Sequence, residues 1–131
     1  MASIRKILEI GAPVESVWAA LADFHHVHTR VAPGFVTDSK PDGDIRVVTF
    51  SNGSVAREKL VSMDAALRRV VYAIVDGRPT HHSASVDLVA LDSHKTRFVW
   101  TTDVLPDELA PYIDGQMSLA APLMKTALER G

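Results

Sequence analysis

Apolar and polar positions along the chain fall into three kinds of pattern. In residues 3–10, Ile4, Lys6, Leu8 and Ile10 alternate with Arg5, Ile7 and Glu9, and β-branched residues are prominent. That period of two predicts a strand. Gly11, Ala12 and Pro13 end it, and the spacing changes: Val14, Val17, Trp18 and Leu21 recur at steps of three and four. This is the apolar stripe of a short helix, with Pro13 suited to its start and Glu15 to its first turn. A second helical piece is expected over residues 24–31, before Pro33 and Gly34 stop it. From Gly34 onward the period of two returns, predicting strands over 35–40, 45–50, 54–63, 69–75, 82–91 and 95–105. Turn chemistry separates them: Pro41-Asp42-Gly43-Asp44, Ser51-Asn52-Gly53, Asp64-Ala65-Ala66, Asp76-Gly77-Arg78-Pro79 and Asp92-Ser93-His94.

The last stretch, 105–131, is the one segment long and apolar enough to span a core as a helix. Ile113, Met117, Ala120, Ala121, Met124 and Leu128 share one face, while Asp114, Ser118, Lys125 and Glu129 fall largely on the other. Pro111 fits a first turn, and Pro122 inside the repeat is expected to kink the helix. The buried face is soft: two unbranched methionines and two alanines, with Gln116 close by, pack loosely enough to tolerate a guest. Hairpin-joined strands present an apolar sheet face that must be covered. The terminal helix is the element available to cover it, so an α+β fold is expected, with a curled antiparallel sheet gripping a long C-terminal helix.

Composition narrows what such a domain can be. At 131 residues and 47% hydrophobic, with no composition shift marking a linker, residues 1–131 form a single domain with a sizeable core. Fourteen basic and 16 acidic residues leave a net charge of −2, without the basic excess of a nucleic-acid binder. The absence of cysteine excludes disulfides, thiolate metal sites and cysteine nucleophiles, and fits a cytoplasmic location. Arg5, Lys6 and Glu9 interrupt the N-terminal apolar window, which argues against a signal peptide, and no run approaches membrane-spanning length. His25, His26 and His28, and the pair His81-His82, have no carboxylate at a recognisable metal-motif spacing, so no metal site or other cofactor is expected.

Ala12-Pro13-Val14-Glu15-Ser16-Val17-Trp18, followed by Leu21-Ala22-Asp23-Phe24, resembles the opening of the polyketide cyclase/dehydrase and lipid-transport superfamily, also called SRPBCC or START-like. Arg57-Glu58-Lys59-Leu60, Tyr72-Ala73-Ile74-Val75-Asp76-Gly77 and Thr96-Arg97-Phe98-Val99-Trp100-Thr101 are further points of resemblance, so that essentially the whole chain is covered. The resemblance implies the helix-grip fold of the birch-pollen-allergen type: a seven-stranded antiparallel sheet, two short helices after the first strand, and a cavity between sheet and long helix. The chain departs from the family in offering Thr29-Arg30-Val31 where members often carry an aromatic residue near the end of the second short helix.

Resemblance to pocket positions in abscisic acid receptors turns Tyr72 and Ile74 toward the helix, with Val70, and turns Glu58 and Leu60 inward on the preceding strand. A carboxylate on an apolar face must be paired, hydrated or protonated, so an inward Glu58 would be a polar centre; the alternative is a surface Glu58 paired with Arg57 or Lys59. A strand that places Ala84, Val86 and Leu88 inward places His82 inward too, and Phe98, Trp100 and Thr102 share one parity on the last strand. The ligand-lining set expected is Phe35, Glu58, Leu60, Tyr72, Ile74, His82, Ala84, Trp100, Met117, Ala121 and Met124. The leading expectation is a module that binds a small hydrophobic molecule of polyketide, lipid or isoprenoid type, acting as a monomer or homodimer. Two alternatives stand beside it: a polyketide cyclase or aromatase with Glu58 and His82 as acid and base, and an interaction protein of stress or toxin-antitoxin type with a collapsed interior.

Overall fold

The computed structural model describes residues 1–131. Seven strands, β1 (Ala2–Ile10), β2 (Val36–Asp42), β3 (Ile45–Phe50), β4 (Val55–Asp64), β5 (Arg69–Ile74), β6 (His81–Asp92) and β7 (Lys95–Leu105), form one antiparallel sheet. Their order is β1-β7-β6-β5-β4-β3-β2. The first two strands in sequence are therefore the two edges, and the chain between them has to cross one end of the sheet. It does so as α1 (Val14–Ala22), a 3-10 turn at Phe24–His26 and α2 (Val27–Arg30). The helical piece expected after α1 is thus split between two helix types. Val17, Ala20 and Leu21 of α1 and Val27 of α2 are buried, so this crossing closes the end of the core.

Turn chemistry sets the register that later matters for the site. Asn52 is the midpoint of the β3–β4 hairpin: Thr49 pairs with Val55, Val48 with Ala56, Val47 with Arg57 and Arg46 with Glu58. Its Oδ1 accepts from both the amide and the hydroxyl of Ser54, at 2.9 and 2.7 Å, while Gly53 supplies the positive φ of 87° that closes the turn. The preceding hairpin is tighter than expected. Pro41 and Asp42 belong to β2, and the reversal is made by Gly43 and Asp44 alone. A proline is admissible there because β2 is an edge strand that needs no donor on its free side.

The terminal helix begins later than the sequence suggests. Leu105 is the last residue of β7, Pro106 breaks the strand, and a 3-10 turn at Asp107–Leu109 leads into α3 (Ala110–Arg130). Pro111 lies in the first turn, where its missing donor costs nothing. Pro122 is on the solvent face, and the helix is unbroken through it, so the interruption falls where water can satisfy the freed carbonyl. Met117, Ala120, Ala121, Met124 and Leu128 are buried, as the face assignment requires. The helix is fastened to the first strand by Lys6 to Asp114, by Lys125 Nζ to the Glu9 carbonyl, and by the Gly11 amide to Glu129 Oε2 at 2.7 Å. Lys125 and that amide together hold the Glu129 carboxyl below its ordinary range.

The core lies between α3, α1 and one face of the sheet, where Ile10, Val17, Val48, Phe98 and Ala120 are fully buried. Truncating Phe98 to Ala in such a setting would cost about 3–5 kcal/mol. No helix is long and apolar enough to cross a membrane.

Candidate ligand-binding site

Packing between sheet and helix is incomplete and leaves an inner chamber of about 110 Å3. Sixteen of its 21 lining residues are hydrophobic, Tyr72 and Trp100 among them; the other five, Arg46, Glu58, His82, Thr102 and Gln116, and the Tyr72 hydroxyl are the groups that can orient anything inside it. An outer chamber of about 260 Å3 follows, toward the loop carrying Asp76, Gly77, Arg78 and Pro79. Phe35, Phe50, Ile74, Ile113 and Gln116 line both spaces, which therefore adjoin. The Phe35 and Phe50 rings stand 5.4 Å apart there. At the mouth, Asn52 Nδ2 donates to Tyr112 Oη at 3.0 Å, and the Arg78 guanidinium lies 5.9 Å from the Tyr112 ring.

The polar residues form a row across neighbouring strands because inward parity repeats from β3 to β7. Arg46 on β3 and Glu58 on β4 are direct cross-strand partners, and Arg46 Nε donates to Glu58 Oε1 at 2.8 Å. Both side chains are 8% exposed, so this is a buried ion pair. Arg46 also donates through Nη1 to the Phe24 carbonyl at 3.0 Å, and its guanidinium lies 4.0 Å from the Phe24 ring and 4.9 Å from the Tyr72 ring. The cation is thus clamped from the end-closing turn and from β5, which compensates part of its desolvation. Arg46 Nη2 and Glu58 Oε2 take no hydrogen bond from this arrangement, and both residues line the inner chamber.

Tyr72 on β5 accepts from Trp100 Nε1 at 3.2 Å, which leaves its own O–H free to donate. Burial first, and then the Glu58 charge, push its phenol far above the ordinary value, so it is a neutral donor at any relevant pH. The β5–β6 ladder ends at Tyr72 and Ala84; beyond it the Ile74 amide donates to His82 Nδ1 at 3.0 Å. That bond places the proton of the neutral imidazole on Nε2. Burial, with the His81 charge second, lowers His82 to about 4. At neutral pH the ring is therefore an uncharged donor with its basic nitrogen already engaged.

Of the lining residues expected from sequence, Phe35, Glu58, Tyr72, Ile74, His82, Trp100, Met117 and Met124 line the inner chamber, while Leu60, Ala84 and Ala121 do not. Leu60 and Ala84 have the expected facing, but Phe24 fills the space in front of them and packs with them and Tyr72 as a separate small cluster. Ala120, one helical step away, takes the lining place expected of Ala121. Glu58 is paired neither with Arg57 nor with Lys59: Arg57 binds Asp42 and Lys59 lies beside Asp44. Arg46 is the residue that sequence reading missed. Its signal was the symmetry of the hairpin, in which positions equidistant from Asn52 face each other. Of the first histidine cluster only His26 is engaged by a carboxylate, its Nδ1 2.7 Å from Asp23 and its ring stacked on His28, while Nδ1 of His25 and of His28 is buried without a partner. No three His, Asp or Glu side chains are grouped to hold a metal ion.

Residues 1–131 match the family described as polyketide cyclase / dehydrase and lipid transport. The chain belongs to that family. No curated protein matches the sequence. Among solved structures, a protein of Bacillus thuringiensis is similar with a TM-score of 0.85 and 19% identity over 97% of this chain and 98% of that one. Norcoclaurine synthase from Thalictrum flavum, solved in complex with dopamine and hydroxybenzaldehyde, is similar with a TM-score of 0.76 and 17% identity, over 98% and 84% of the two chains. A Streptomyces aromatase/cyclase gives 0.72 and 18%, over 98% and 91%. At these identities the likeness establishes the helix-grip fold, the seven-stranded sheet around a long C-terminal helix with short helices after the first strand.

Proposed function

We propose that this family member binds a small hydrophobic molecule between the sheet and α3, with an oxygen-bearing end at the Arg46–Glu58–Tyr72–His82 row and an apolar body reaching the outer chamber. The observation that carries this reading is the buried Arg46–Glu58 pair in the wall of a cavity whose other lining is mostly hydrophobic. Exchanging such a pair for packed hydrophobic side chains is often neutral or stabilising, so folding alone is a weak reason for its presence. Pockets for drug-sized ligands hold roughly 300–1,000 Å3. The inner chamber of about 110 Å3 falls below that range, and a polyketide- or isoprenoid-sized guest would extend past Phe35 and Phe50 and fill both spaces.

Native mass spectrometry of freshly purified protein tests the proposal, together with displacement of the neutral fluorophore N-phenylnaphthylamine. Met117→Trp, which fills the inner chamber from α3, should abolish probe binding while the far-ultraviolet spectrum stays that of the parent. Undiminished binding by a folded Met117→Trp protein would remove the cavity from the argument.

The same row favours a second reading, a cyclase acting on a poly-ketone chain. Glu58 Oε2 would accept a proton from an acidic carbon while Tyr72 and His82 Nε2 donate to the adjoining carbonyl. His82 itself is a poor acid–base partner, since Nδ1 is engaged by Ile74 and the imidazolium is not populated near neutrality. Binding without turnover of a poly-ketone substrate analogue would leave the first reading alone.

A further inference from the structure

Charge is balanced in each chamber. The inner one is lined by a single cation, Arg46, and a single anion, Glu58, which are spent on each other. The outer one is lined by Arg78 and Asp76, which form no ion pair: Asp76 Oδ1 accepts the Arg57 amide, and Arg78 lies beside the Tyr112 ring. The other polar groups on the walls are uncharged: Tyr72, Trp100, Thr102 and Gln116, Ser54 and Tyr112 of the outer chamber, and His82, whose Nδ1 accepts the Ile74 amide and whose burial keeps the ring neutral. Lys6 on β1 and Lys125 on α3 are tied to Asp114 and to Glu9 and Glu129 and do not line either chamber. A ligand carboxylate that reaches the inner chamber meets no unspent counter-charge, because Arg46 is taken by Glu58 and Arg78, which has no ion-pair partner, stands at the outer chamber. It would have to lose its water while standing against Glu58, and burying an ion on those terms is strongly unfavourable.

Hydrogen-bonding capacity, by contrast, is available in both senses. Tyr72 Oη and His82 Nε2 have protons to donate, Arg46 Nη2 has two more, and Glu58 Oε2 can accept. Donors and acceptor belong to adjacent strands and line the same chamber, with Glu58 the cross-strand partner of Ile74 and Ile74 bonded to His82. Resting on the binding function proposed above, we infer that the site selects neutral ligands whose polar end pairs an acceptor with a neighbouring hydroxyl donor, as in a hydroxy-ketone or an acyl phenol, and rejects carboxylates of the same skeleton. Glu58 is the residue that sets this selectivity: it takes the ligand hydroxyl and cancels the field of Arg46 that would otherwise attract an acid.

Competition against bound N-phenylnaphthylamine at neutral pH, using hydroxyacetonaphthone and hydroxynaphthoate, tests the inference. The two competitors share a ring hydroxyl and differ in bearing a methyl ketone or a carboxylate beside it. The ketone should compete at least about tenfold more tightly than the carboxylate. In Glu58→Gln the lining keeps Arg46 without its counter-charge, and the order should reverse. A carboxylate that competes as well as the ketone in the parent protein overturns the selectivity while leaving hydrophobic binding intact, and this comparison needs no variant to fold. Equal weakening of both competitors by Glu58→Gln would equally overturn the role given to that residue. If the parent binds no probe that either compound displaces, the binding function itself falls.

Discussion

Removing Arg46 isolates the energetics of the site. Arg46→Met keeps a long unbranched side chain in the slot between Phe24 and Tyr72 but deletes the ion pair, the bond to the Phe24 carbonyl and the contacts with both rings. Glu58, whose side chain is 8% exposed, is then a buried carboxylate without its partner. Breaking a buried pair from one side costs about 3–5 kcal/mol, because the remaining charge has lost water and gained nothing. In a domain of this size 1 kcal/mol moves the melting temperature by roughly 3–6 °C, so a fall on the order of 10–25 °C is expected. The double variant Arg46→Met with Glu58→Leu removes both charges and should recover most of that loss, even to parental stability. Calorimetric or circular-dichroism melting of the parent, both single variants and the double variant closes the cycle and gives the coupling energy directly. If Arg46→Met melts within about 3 °C of the parent, or the double variant is the least stable of the four, then the pair is not desolvated and its place as the centre of the site is refuted.

Three other perturbations read different parts of the structure. His82 is lowered to about 4 in the folded chain from an ordinary 6.5, so the unfolded chain binds more protons between those values. Its contribution, up to about 3 kcal/mol, is full above pH 6.5 and is lost as pH falls toward 4; urea midpoints followed over that window should slope less in His82→Asn, and an unchanged slope would show that the burial is not felt. Tyr72→Phe deprives Trp100 Nε1 of its acceptor and should destabilise by about 1–2 kcal/mol, with a shift in the tryptophan emission maximum; an unshifted spectrum contradicts the bond. Pro122→Ala restores an amide donor on the solvent face of α3 and should stabilise by about 1–3 kcal/mol, whereas a lowered melting temperature would mean that the core depends on the proline's local geometry.

The fold was legible because its signals are redundant. Period-two strands, turn residues and a terminal helix face agree with one another, and the resemblance covers every element. Boundaries failed where one residue serves two patterns: Leu105 continues the alternation of β7 and also begins the apolar text of the helix, and only the Pro106 break decides between them. The site was legible by parity on β4, β5, β6 and β7. It was not legible on β3, where Arg46, Val48 and Phe50 alternate with Ile45, Val47 and Thr49, and the guanidinium makes the wrong face look like the outer one. A charged residue faces inward only when its partner does, and that partner is specified by hairpin register rather than by anything within the strand. Leu60 and Ala84 failed for a different reason. Parity gives the direction of a side chain, but not whether a distant element such as the Phe24 turn already occupies the space in front of it.

The fastening of α3 gives the molecule an uneven mechanical character. Asp114, Lys125 and Glu129 hold the helix to β1 and the turn after it, while the flank bearing Ile113, Met117 and Met124 borders the chambers. A guest can therefore gain room by tilting that flank about a stationary seam, with no rung of the seven-stranded ladder having to open. On this hypothesis occupancy damps one element and leaves the sheet indifferent: amide exchange in α3 should slow on ligand binding while β6 and β7 exchange as before. Equal slowing across helix and sheet would show instead that the two move as one body.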